Sequence, residues 1–188
     1  MIIGATLFIP YATVGFFVLY SVLNGDDMSL DATIEVGRLL RMALICHGFY
    51  FVGLPFFFEF TPDAQVLACV PKSVLSEEDN KFGTVPDRVD NLYWMMTCLS
   101  GELFFVSATA FLLLAAQVSA PRWTLLIPIA QCAYNMKNNL IWVGLGNTLS
   151  PVNKRMKVMI VDCIMIGIWM IIYVSNYFTA PVVVDGSA

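Results

Sequence analysis

Apolar residues come in long blocks along this chain, separated by polar links of very different lengths. Crossing roughly 30 Å of hydrocarbon takes about 20 residues of helix, and lipid offers no partner to a bare backbone group. Blocks of that length therefore read as membrane-spanning helices. Five stand out, at residues 2–23, 39–58, 92–117, 123–146 and 157–178. The pattern predicts an all-α, polytopic integral membrane protein, a five-helix transmembrane bundle in which residues 1–188 form a single transmembrane domain. The fourth block is interrupted by Asn135, Lys137, Asn138 and Asn139, so four spans plus one re-entrant segment is the alternative.

The links refine this picture. The third and fourth, SAPR and NTLSPVNKR, are short and make antiparallel neighbours of the helices they join. Residues 59–91 instead form an acidic extramembrane loop, with seven carboxylates against Lys72, Lys81 and Arg88. With five spans, the side holding that loop carries six Lys and Arg residues, against Arg38, Arg41 and Arg122 on the other. Such a bias favours an inside N-terminus, and it reverses to seven against three if the fourth block re-enters. The opening MIIGATLFIPYATVGFFVLYSVLNG has no basic residue before its apolar run, which is longer than the 7–15 residues of a signal-peptide core. It reads as a retained first helix, with an upstream targeting segment left open.

Composition agrees with the blocks: 59% of residues are hydrophobic and 13% charged, where soluble domains carry about 25% charged residues. The mean hydropathy is +0.75. A net charge of −4, with no basic stripe or tail, excludes nucleic acid as a partner. Five scattered cysteines form neither a disulfide framework nor a CxxC site and read as small packing residues.

Chemistry, if present, must come from the few polar residues inside the blocks. Gln131, Asn135, Asn138, Asn139 and Trp142 fall at helical spacing on one face of the fourth block. At 1.5 Å per residue from the long-loop side, His47 comes out roughly 18 Å deep, Glu102 roughly 15 Å, Lys137 roughly 14 Å and Asp162 roughly 8 Å. Four helices thus place ionisable groups in one slab. Charges at such depth are costly and face a bundle interior, so Lys137 is expected to pair with Asp162 or Glu102. One reading makes Glu102, Gln131, Asn135, Lys137, Asn138, Asn139, Trp142 and Asp162 a ligand site. The other makes the amides hydrogen-bond glue between helices, worth about 1 kcal/mol each.

His47 is the single histidine. It is either a hydrogen-bonded core residue, a general acid and base, or one axial ligand to a metal-centred pigment. No spacing supplies the three or four ligands of a zinc site. No GxSxG, HExxH, Walker A or GxGxxG element stands in a usable context, and there is no repeat or low-complexity tract. The aromatic runs FYFVGLPFFFEF and SNYF suit an interfacial belt or a lipid-facing wall.

Five spans, a long second link, His47 in the second block, Glu102 in the third and the pair Asn139 and Trp142 together resemble the emopamil-binding sterol isomerases and their sigma-2-receptor-like relatives. That resemblance implies proton shuttling by His47 and Glu102, with Asn139 and Trp142 lining a sterol pocket. This chain departs from the family in two ways: Phe51 stands where an acid one turn after the histidine is expected, and the family's Asn and Trp lie on its last span.

The function expected from these features is a non-enzymatic accessory or structural subunit of a larger membrane complex. It would pack against other membrane subunits and bind membrane lipids, or pigments of chlorophyll or carotenoid type, at its apolar faces. The alternative is a lipophile-binding enzyme or carrier, sterol-isomerase-like, with an intramembrane polar pocket.

Overall fold

The computed structural model describes residues 2–60, 105–145 and 152–183, with side chains over 10–25, 28–53, 105–136 and 160–183. The described chain is mostly helical, as an all-α fold requires. We label the helices α1 (Ile2–Asn24), α2 (Arg38–Phe60), α3 (Phe105–Ala116), α4 (Leu126–Leu145) and α5 (Val152–Thr179). Among the described residues one segment, Ile160–Thr179 within α5, is long and apolar enough to cross a membrane, with a mean hydropathy of 1.7. Pro10–Asn24 and Phe105–Ala116 are shorter apolar helices. Pro10 is inside α1, α2 continues through Pro55 to Phe60, and Pro128 falls in the first turn of α4, where no helical N–H is lost.

Each helix turns a narrow stripe inward at the three-to-four spacing of one helical face. From α2 come Leu40, Ala43, Leu44, His47 and Phe51, from α3 Ala108, Phe111 and Ala115, from α4 Leu126, Ile129 and Cys132, and from α5 Ile166, Trp169, Tyr173 and Tyr177. α4 packs between α1 and α5, and α5 also packs on α2. α2 meets α3 at Gly48, where a Cβ would lie only 3.0 Å from Leu112 Cγ. The missing side chain is what lets these two helices approach.

The links at one end form a small sheet that the hydropathy pattern did not foretell. β1 (Thr33–Glu35) pairs antiparallel with β2 (Ser119–Pro121), in the register Thr33 to Pro121 and Glu35 to Ser119. On its other edge, Ile34 bridges to Val182, with Glu35 N–H donating to the Pro181 carbonyl at 3.0 Å and Val183 N–H to that of Thr33 at 2.7 Å. The α1–α2 link is therefore the middle strand, and the ends of α1, α3 and α5 and the starts of α2 and α4 all gather beneath it. Ile34, 1% exposed, plugs this cap from above.

Arg122 reinforces the cap. It was counted as a loop cation, yet it is 2% exposed, with its backbone N–H on the Ala32 carbonyl at 2.9 Å and its Nη1 on that of Ser29 at 3.2 Å. The physical reason is that a guanidinium satisfies carbonyls that the tight link leaves without helical partners. Arg122→Met keeps the apolar stem and removes the donors. It is expected to cost about 1 kcal/mol of stability, read as a lowered unfolding temperature in detergent with faster proteolysis of the cap.

Candidate functional site

The interior polar groups gather along the seam between α2 and α5. On α2, His47, Tyr50 and Phe51 are three and four residues apart and share a face. On α5, Asp162, Ile166, Trp169 and Tyr173 do the same at spacings of four, three and four. Phe111 of α3 closes one side.

His47 is fully buried in this seam. Its ring stacks on Trp169, with centroids 4.2 Å apart and planes at 17°, while Phe51 and Phe111 each lie 4.7 Å away. The Nδ1 atom is 3.1 Å from the Tyr173 hydroxyl. Either tautomer makes that bond, the phenol donating to a bare Nδ1 or accepting from Nδ1–H. Nε2 is buried and has no hydrogen-bond partner among the described residues.

One turn along, the Tyr50 hydroxyl donates to Asp162 Oδ1. The Tyr50 ring is 5.4 Å from Trp169, so the indole stands between the two polar pairs. A third pair ties α1 to α5 nearer the cap: Tyr177 donates to the Phe17 carbonyl at 3.2 Å, which leaves Ser21 as donor in the 2.5 Å bond between the two hydroxyls. Each pair joins two helices that are far apart in sequence. The His47 and Ser21 pairs satisfy polar atoms that packing has removed from water, and the Tyr50–Asp162 pair is half-buried.

The expected site residues fare unequally. His47 and Asp162 are both brought to the α2–α5 seam, but each meets a tyrosine. Gln131 and Asn135 are half-buried, beside the core line of Ile129 and Cys132 rather than on it. Glu102 and the side chains of Lys137, Asn138, Asn139 and Trp142 lie outside the described residues, as does the expected pairing of Lys137.

Tyr50, Trp169 and Tyr173 were missed as site residues, although the signal was present. Tyr50 and Phe51 belong to the run read as belt or lipid-facing wall, and Tyr177 to SNYF. Phe51 and Tyr177 are in fact fully buried, whereas Phe49 beside them is 62% exposed. Helical spacing from His47, applied residue by residue, separates the inward from the outward rings.

Chemically, the seam offers a buried imidazole with one nitrogen free among the described residues and a carboxylate that accepts from a phenol. Among the described residues no carboxylate reaches the imidazole to orient it, and no group of three or more His, Cys, Asp and Glu side chains is arranged to hold a metal ion. No protein-family model, curated protein or solved structure matches this chain.

Proposed function

We propose that this chain is a non-enzymatic, multi-pass integral membrane subunit, a five-helix bundle that packs laterally in a larger membrane assembly. It binds membrane lipids, or pigments of chlorophyll or carotenoid type, against its apolar faces. The observation that carries the reading is the inversion of polarity between interior and surface. Tyr11, Leu19 and Leu23 of α1, Leu39, Met42 and Phe49 of α2, Phe105 and Leu113 of α3, and Ile164, Ile168 and Ile171 of α5 all face outward. The polar pairs face in.

A monomer in water rarely exposes contiguous apolar surface beyond a few hundred Å². The span within α5 has only 22% of its apolar window buried inside the protein, whereas the core helix of a soluble domain is mostly covered. Lipid and neighbouring subunits are what such surfaces fit. The unbroken helix from Leu126 to Leu145 supports a crossing rather than a re-entrant turn, since 20 residues at 1.5 Å each reach about 30 Å.

A second reading, a lipophile-binding enzyme or carrier of the sterol-isomerase kind, is favoured by one observation, the unpartnered Nε2 of His47. In that reading His47 and Glu102 carry the protons. As a pigment's axial ligand, the same nitrogen would need the rings now covering it to move apart.

Native mass spectrometry with an absorption spectrum, on the protein extracted from its own membrane in mild detergent, tests the proposal. The expected result is a large defined assembly, with or without pigment bands. A monomer or dimer carrying one sterol-sized mass establishes the second reading, and a stable monomer with neither partner nor ligand overturns the subunit reading.

A further inference from the structure

A different region, at the cap end of α3 and α4, carries an inference of its own. A cavity of about 360 Å³ opens between the two helices, lined by Phe111, Leu114 and Gln117 on one side and Thr124, Ile127 and Pro128 on the other. This volume is at the small end of ligand pockets, about 300–1,000 Å³, and the lining is almost wholly apolar. It suits an alkyl chain.

Charge stands beside one of its lining residues, Gln117. The Nη2 of Arg41, on the first turn of α2, donates to the carbonyl of Gln117 at 3.1 Å and to that of Val36 at 3.4 Å. Those two carbonyls fix the guanidinium beside the cavity. Its Nε is buried without a hydrogen-bond partner, and Nη1 makes none to the described residues. No acidic side chain among the described residues forms an ion pair with Arg41, although Asp31 and Glu35 are exposed on the same cap. Trp123, 45% exposed, is on the same cap, and indoles are residues that anchor a helix end among lipid headgroups.

We propose that this cleft binds an anionic phospholipid, one acyl chain in the cavity and the phosphate on the Arg41 guanidinium. The proposal rests on the membrane reading above and narrows its lipid to one class. Two facts fix the choice. The cationic group has no counter-ion among the described residues, so a net negative headgroup completes it where a zwitterionic one brings its own cation too. The apolar cavity adjoins that cation through Gln117, which lines the one and accepts from the other.

The test uses the full chain in nanodiscs containing phosphatidylglycerol and phosphatidylcholine, with retained lipids counted by native mass spectrometry. Wild-type protein is expected to keep one phosphatidylglycerol in preference to phosphatidylcholine. Arg41→Gln should lower that preference about tenfold, the effect of losing a charge-assisted hydrogen bond. Leu114→Trp fills the cavity, leaves the guanidinium in place and should release the lipid whatever its headgroup. It keeps the test decisive if the Arg41 variant fails to fold, with helicity by circular dichroism as the control for both.

Equal retention of the two lipids, unchanged preference in both folded variants, or displacement of the lipid by glycerol 3-phosphate alone would overturn the site. A separate detergent phase-partition run distinguishes the levels of failure. A chain found in the aqueous phase fails the membrane reading itself, whereas one in the detergent phase without lipid selectivity fails only this site.

Discussion

Trp169→Ala is expected to lower the stability of the detergent-solubilised protein by about 3 kcal/mol, within the range for emptying a large aromatic site. The indole is stacked on His47 at 4.2 Å and packs on Tyr50 at 5.4 Å, so its removal opens a void against both polar pairs of the α2–α5 seam. The bonds from Tyr173 to His47 and from Tyr50 to Asp162 would then lose the wall that orients them. Thermal unfolding in detergent measures the loss, and Trp169→Phe should restore part of it by refilling the space. The subunit reading requires that assembly with partners persist below the lowered melting temperature, because Trp169 is 9% exposed and reaches no outer face. If stability barely changed while binding of a sterol-sized ligand disappeared, the seam would be a pocket and not a brace.

Gly48→Val has the second largest expected effect, about 2 kcal/mol. A Cβ at this position would stand 3.0 Å from Leu112 Cγ, 3.1 Å from its Cδ2 and 3.4 Å from the Ala108 carbonyl. Valine adds two methyl groups to that carbon, so α2 and α3 must separate or Leu112 must leave its rotamer. Small residues at helix contacts are how lipid-embedded helices gain packing without a solvent-driven force between them. Gly48→Ala asks for a shift of only a few tenths of an ångström and should cost less. The diagnostic measurement is the double variant: Leu112→Ala added to Gly48→Val is expected to recover stability, a non-additivity that two independent sites would not show. Simple addition of the two losses would mean that the helices do not touch there.

Much of the helical framework was legible in the sequence because long apolar runs report helices directly. The apolar blocks predicted α1 at 2–23 and α2 at 39–58, and the helices run Ile2–Asn24 and Arg38–Phe60. The last block was placed at 157–178, but α5 begins earlier, at Val152, because Asn153, Lys154 and Arg155 are no barrier to a helix, only to its burial. The cap was harder to see. Each of its strands is three residues long, too short for an alternation pattern to exceed chance, and SAPR was read simply as a link. Only the sequence TIEV, with Ile34 and Val36 buried around an exposed Glu35, carried the period of two.

The candidate site was half legible for a related reason. Depth along a helix can be counted from sequence, so His47 and Asp162 were placed inside. Their partners depend on the rotation of two helices about their own axes, which hydropathy alone does not fix. A tyrosine also counts as apolar in composition while offering a hydroxyl to a buried acceptor. Tyr50 was therefore hidden in an aromatic run and Tyr173 among apolar neighbours, and Asp162 accepts a hydrogen bond from a phenol, while its expected pairing with Lys137 lies outside the described residues.

The three-stranded cap has a consequence for how the protein is made. Its middle strand, residues 33–35, is synthesised early, its first neighbour almost ninety residues later, and the bridge from Ile34 to Val182 only after α5 has emerged. Pairings so distant along the chain carry a loop-closure cost that local helix formation does not. During biogenesis one edge of the link between the first two helices must therefore wait, with the Glu35 N–H and the Thr33 carbonyl unclaimed, until the last helix arrives. Residues 181–183 are the latch that ends that wait, and any chaperone guarding the nascent protein would find its substrate at this end.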